Sequence, residues 1–210
     1  MNTLNSPEPS CDLSHCELHH VSHRFQDAIA LFNAAFAESE NTQLVKGLDE
    51  PEYIPAGNNC VYHQVIFAHG YFASALHEIA HWCIAGAQRR LLNDYGYWYC
   101  PDGRNEQQQK QFEQVEIKPQ AIEWAFSVAA NKPFRVSTDN LNGVEPDTKH
   151  FTLNVYEQVM RYLQEGFPPR AALFIKRLAE FYGTDDIIAA KFALPNADGS
   201  HPDKPIEEAL

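Results

Sequence analysis

At 210 residues, with 44% hydrophobic and 12% aromatic content, the chain is long enough to bury the core of one globular domain. Its net charge of −12, from 28 acidic and 16 basic residues, excludes the basic face that a nucleic-acid groove needs and suits a basic partner or a lysine-bearing substrate. Residues 1–12 lack a secretory pattern, no stretch reaches the length of a membrane span, and Cys11, Cys16, Cys60, Cys83 and Cys100 form no regular framework, so a cytoplasmic protein with reduced thiols is expected.

Residues 1–20 are polar, contain Pro7 and Pro9, and are expected to form a flexible tail ahead of a single domain over 21–194. Cys11, Cys16, His19 and His23 carry zinc-ligand chemistry but match no standard finger, and a cluster without metal is expected. Phe25, Ile29, Phe32 and Phe36 give a helix over Ser22–Glu38 its core stripe. Leu44-Val45 and Tyr53-Ile54 suggest short edge strands. Cys60–His69 has the β-branched and aromatic content of a strand, and Gly70 turns it into a long helix.

That helix is predicted from Tyr71 to about Tyr95, ending at Gly96, with Ala73, Leu76, Ala80, Cys83 and Ala87 as its apolar stripe. The aromatics of Tyr95–Cys100 and the Pro101-Asp102-Gly103 turn could cover a site or simply anchor a loop. Asn105–Glu113 reads as a polar surface helix, and a second helix is predicted to open with Pro119 in its first turn and run to about Ala130. Pro133–Asn140 suggests a further strand. Helices over 147–165, 169–182 and 184–192 complete a mainly helical second half, and residues 195–210 form a second flexible tail. The expected class is α+β and zincin-like, a small sheet whose edge strand borders a buried helix.

The buried helix carries His77-Glu78-Ile79-Ala80-His81. Two histidines four apart lie on one helical face, so both imidazoles can reach one metal ion, and Glu78 lies beside it where it can touch a bound water. Bare imidazoles and a carboxylate in an apolar setting would cost several kcal/mol unless satisfied, and a metal with its water satisfies all three. His63 and His69 could line the cleft, although local hydrogen bonding is the simpler expectation. A third ligand is needed, and Glu116, just ahead of the predicted helix, and Glu123, two turns on, both qualify by spacing.

Two histidines and a carboxylate leave three positions open on an octahedral metal, which suits iron(II) and dioxygen as well as zinc and water. With zinc, Glu78 would deprotonate the bound water of a peptidase. The longer H-E-x-x-H-x-x-G-x-x-H pattern is absent, because Ile84 and Ala87 stand where glycine and histidine are required. A non-catalytic adaptor would instead fill the metal with a fourth ligand such as Cys83 or His69.

Three blocks, Ile66–Gly86, Gly96–Arg104 and the Val115-Glu116-Ile117-Lys118-Pro119-Gln120-Ala121 run, resemble the bacterial elongation factor P hydroxylase family, and the likeness extends over about residues 22–194. The resemblance implies hydroxylation of the β-lysylated lysine of translation elongation factor P at a 2-His-1-carboxylate metal site that holds iron. It implies His77, His81 and Glu116 as ligands, favouring Glu116 over Glu123, with Glu78 as an acid/base. Under that assignment Glu123 is dispensable for metal binding. A monomer acting without nucleic acid or membrane is expected.

Overall fold

The computed structural model describes residues 22–57, 60–93, 102–138, 140 and 142–194. Helix α1 (Phe25–Phe36) buries Ala28, Phe32 and Phe36, and Phe32 and Phe36 pack their rings on Trp82 at centroid distances of 5.0 and 4.8 Å. Strands β1 (Thr42–Lys46), β2 (Glu52–Ile54) and β3 (His63–Phe67) form a three-stranded sheet in the order β1-β3-β2. The central strand β3 is parallel to β1, Leu44 facing Val65, and antiparallel to β2, Tyr53 facing Val65. The short edge strands foreseen at 44–45 and 53–54 are therefore present, and β3 occupies the middle of the predicted 60–69 strand.

His69 and Gly70, with φ of 57° and 70°, turn the chain from β3 into helix α2 (Phe72–Ile84). A left-handed pair there changes direction in two residues, which only glycine adopts without strain. Helix α2 is much shorter than expected. It ends at Ile84, so Ala87 is exposed and the buried face is Phe72, Ala75, Leu76, Ile79, Ala80, Trp82 and Cys83. The stop comes from tertiary structure: Arg170 Nη2 donates to the carbonyls of Trp82, Cys83 and Ala85 at 2.9, 3.1 and 2.6 Å. The Trp82 carbonyl also accepts from Ala85 N at 3.2 Å, and the guanidinium gathers the carbonyls of the helix end, meets the negative pole of the helix and stacks 4.5 Å from the Trp82 ring.

The polar segment after residue 104 and the segment after Pro119 form one helix, α3 (Glu106–Ala129), and not the two predicted. A capping box starts it: Asn105 Oδ1 accepts from Gln108 N, and Gln108 Oε1 accepts from Asn105 N, each at 3.0 Å. Pro119 lies inside, where it leaves the Val115 carbonyl without its helical donor at a cost of about 3 kcal/mol. Burial of Ala121, Ile122, Ala125, Phe126 and Ala129 outweighs that cost.

Helix α4 (Thr148–Glu165) is capped by Asp147, whose side chain accepts from His150 N. Helix α5 (Pro169–Tyr182) starts on proline and ends at Gly183 in the left-handed region. Both match the expected ranges, whereas the helix foreseen at 184–192 is only a 3₁₀ turn over Ala189–Lys191. Residues 133–138 form no strand. The class is α+β, with α3 packed between α2, α4 and α5. No helix among the described residues is long and apolar enough to cross a membrane. The aromatic run 95–100, the tail cysteines and residues 195–210 lie outside the described residues.

Candidate metal centre

Helix α2 fixes the first two donors. Its apolar face is locked into the core, which leaves His77 and His81 on the opposite side, their side chains 26% and 19% exposed. Their Nε2 atoms lie 3.0 Å apart. Helix α3 supplies the third donor: Glu116, 1% exposed, places Oε1 3.3 Å from His81 Nε2 and Oε2 3.6 Å from His77 Nε2. The three residues offer ligand atoms that all lie within 4.8 Å of one another, and among the described residues no fourth His, Cys, Asp or Glu joins the group.

The donor set fits a divalent metal. Two metal–nitrogen bonds of about 2.1 Å meeting at a right angle would put their nitrogens about 3.0 Å apart, as the two imidazoles are. Glu116 Oε1 is buried without a hydrogen bond, a costly state for a carboxylate oxygen unless a cation takes it. Two neutral imidazoles and one carboxylate suit iron, zinc and their neighbours alike.

Glu123 lies outside that group of three and instead meets His77. Its Oε2 lies 2.9 Å from His77 Nδ1. A carboxylate only accepts, so Nδ1–H donates and Nε2 is left free to face a metal. Glu123 is therefore tied to His77, whereas on the expectation from sequence it is dispensable for metal binding. Burial disfavours the His77 imidazolium, but the hydrogen bond and charge of Glu123, together with Glu116 and Glu78, outweigh it and raise its pKa to about 10 in the metal-free protein. Burial likewise disfavours the Glu116 carboxylate, yet His81, His77 and Gln120 hold it down to about 2. Glu78 is shifted the other way: burial raises its carboxyl above the ordinary range, with Glu116 and Glu123 adding to the rise and the two imidazoles opposing it.

Other candidates fall away from the centre. His63 Nδ1 accepts from Ala56 N at 2.9 Å and its ring stacks on Tyr53, so it is held locally, as expected. His69 is exposed and serves the turn. Cys83 is buried in the core, and burial pushes its thiol pKa up. His23 Nε2 donates to the Ala130 carbonyl at 2.7 Å and packs between Phe72 and Tyr182. That structural role sets it apart from any zinc site in the tail.

One functional neighbour escaped the sequence. Gln120, 1% exposed, donates from Nε2 to Glu116 Oε2 at 3.4 Å and to the Ser137 carbonyl at 2.7 Å, while its Oε1 accepts from Ser137 N at 2.9 Å. The available signal was spacing: once 106–129 is one helix, Glu116, Gln120 and Glu123 recur at i, i+4 and i+7 and share a face.

Residues 31–192 match the family model described as elongation factor P hydroxylase. A relative from Haemophilus influenzae named "Elongation factor P lysine hydroxylase" is 53% identical over 173 residues, covering 82% of this chain and 97% of the relative. The chain thus belongs to the elongation factor P hydroxylase family.

Proposed function

We propose that this protein hydroxylates the β-lysylated lysine of elongation factor P, using iron(II) held by His77, His81 and Glu116. The observation that carries the reading is the meeting of two α2 imidazoles and a buried α3 carboxylate in a member of this family. Bound there, iron(II) would supply the activation of dioxygen, one oxygen atom entering a C–H bond and the other leaving as water at the expense of two electrons and two protons.

The chain's own residues supply the rest. Glu123 fixes the His77 tautomer and Gln120 engages Glu116 Oε2. Glu78, whose carboxyl is raised by burial, holds a proton beside the ligand face and passes it during turnover. The net charge of −12 favours approach of a lysine-bearing segment. The chain works as a cytoplasmic monomer with one catalytic domain over 21–194, and the delivery of α2 by β3 supports a zincin-like relation between sheet and helix. A zinc peptidase would use the same triad, but no separate observation favours it.

The test is mass spectrometry. Iron-loaded protein, dioxygen, a two-electron reductant and lysylated elongation factor P should yield a factor heavier by one oxygen atom. His77→Ala, His81→Ala and Glu116→Ala should each abolish that product. A zinc-loaded protein that cleaves peptides and leaves the factor's mass unchanged would overturn the reading.

A further inference from the structure

We propose that Gln120 is a positioning residue for Glu116: its carboxamide clamps one carboxylate oxygen to the main chain at Ser137 and thereby presents the other to the two imidazoles. The proposal rests on the reading of His77, His81 and Glu116 as metal ligands.

Gln120 lies one turn beyond Glu116 on α3, where i and i+4 side chains are neighbours. A glutamine this deep in a core is costly unless both ends of its amide are bonded. Both are. Oε1 accepts from Ser137 N and Nε2 donates to Ser137 O, so the side chain pairs with a backbone residue much as a neighbouring strand would. Ser137 N can only donate, which settles the orientation of the amide: the oxygen faces Ser137 N and the NH₂ faces Glu116. A flip would set Gln120 Oε1 against the Ser137 carbonyl and against the Glu116 carboxylate at once.

The anchor is itself held firmly. Arg104, fully buried, donates from Nη2 to the Thr138 carbonyl at 2.6 Å and from Nε to Gln109 Oε1 at 2.9 Å, with its guanidinium 3.8 Å over the Phe112 ring. Its backbone N–H donates to Asn140 Oδ1 at 2.8 Å, and Asn140 Nδ2 returns bonds to the Arg104 and Val144 carbonyls at 3.1 and 2.9 Å. Gly143 closes over this knot, since a Cβ there would collide with the Asn140 amide and the Arg104 carbonyl. Thr138 and Asn140 are therefore held in place, which fixes the neighbouring Ser137, and Gln120 carries that position to Glu116.

The consequence is visible in the carboxylate. Oε2 has the Gln120 amide, and Oε1 is buried with no hydrogen bond and lies 3.3 Å from His81 Nε2. Without Gln120 the carboxylate is free to rotate about its last torsion, and neither oxygen is preferred.

The experiment titrates the full-length metal-free protein with Co(II), following visible absorption, and measures the melting midpoint of each metal-free protein. The proteins are wild type, Gln120→Leu, which removes the amide, Gln120→Asn, which keeps an amide too short to span Ser137 and Glu116, and His81→Ala. Wild type should bind Co(II), His81→Ala should bind far more weakly, and both Gln120 variants should bind 10- to 100-fold more weakly than wild type with altered bands. If Gln120→Leu fails to fold, Gln120→Asn decides alone. Variants that lose melting temperature but keep the wild-type affinity and spectrum would show a merely structural glutamine and overturn the proposal. If wild type binds no Co(II), or His81→Ala binds as well as wild type, the ligand assignment itself fails and takes this inference with it.

Discussion

With His77 as a metal ligand, as proposed, Glu123 has two opposed effects on metal binding, and their separation is the sharpest test of the site. Its 2.9 Å contact with His77 Nδ1 orients the ring and raises the basicity of Nε2. Removing such a partner typically costs 10- to 100-fold in metal affinity, about 1.4 to 2.7 kcal/mol. The same carboxylate raises the His77 pKa to about 10 in the metal-free protein, so a proton must leave before Nε2 can ligate. At pH 7 that competition is of the order of three powers of ten, and it disappears as pH approaches 10. Glu123→Ala gives up the orientation and most of the competition together. Its affinity should therefore exceed the wild type's by about tenfold or more near pH 7, cross it at about pH 8 to 9, and fall below it at higher pH.

Calorimetry of Co(II) binding in buffers of different ionisation enthalpy counts the protons released. At pH 7 wild type should release about one proton from His77, and Glu123→Ala close to none. Between pH 6.5 and 8.5 the logarithm of the wild-type affinity should climb by about one per pH unit, whereas the variant should stay nearly flat. Equal proton counts in the two proteins would refute the coupling of Glu123 to His77, whatever happens to activity.

Three further outcomes follow from the same coordinates. In the metal-free protein the raised His77 pKa contributes stability that is fully present below about 6.5 and lost as pH rises through about 10, so melting temperature should fall on the alkaline side and His77→Ala should flatten that limb. The depressed Glu116 pKa contributes stability above about 4.5 that is lost as pH falls towards about 2, and Glu116→Gln should blunt the acid limb measured by circular dichroism. Arg170→Ala should lower stability by about 1–3 kcal/mol, read as a melting shift of several degrees, because it strips the carbonyls of Trp82, Cys83 and Ala85 of their shared donor.

The helices with ordinary apolar stripes could be read from the chain alone. Phe25, Phe32 and Phe36 announce α1, and the proline start and glycine stop of α5 mark its ends. The pair of imidazoles was legible because both lie on one helix, four residues apart. Three things were hidden. The end of α2 depends on Arg170, 86 residues beyond Ile84, and local propensity carries no trace of such a cap. The unity of α3 was masked by Pro119, whose penalty is outweighed only by burial against α2, α4 and α5. The roles of Glu116 and Glu123 were inseparable by spacing, since both point the same way and differ only in what each meets across the interface.

That shared direction also explains why α3 looks unlike a core helix in sequence. At about 100° per residue, Glu116, Gln120, Glu123 and Ser127 fall within a narrow arc of one another, a polar stripe along a helix that is otherwise apolar over its second half. On a surface helix such a stripe would face water and the apolar stripe would face inward. Here Glu116, Gln120 and Ser127 are buried and Glu123 is partly buried, with Glu123 bonded to His77 and Gln120 bonded to the Ser137 main chain and to Glu116. Glu116 Oε1 is left without a hydrogen bond. A fold that supplies partners to this stripe while leaving one anionic oxygen unbonded, beside two imidazole nitrogens 3.0 Å apart, has the polarity and spacing of a cation site and not of a core that tolerates stray polar groups.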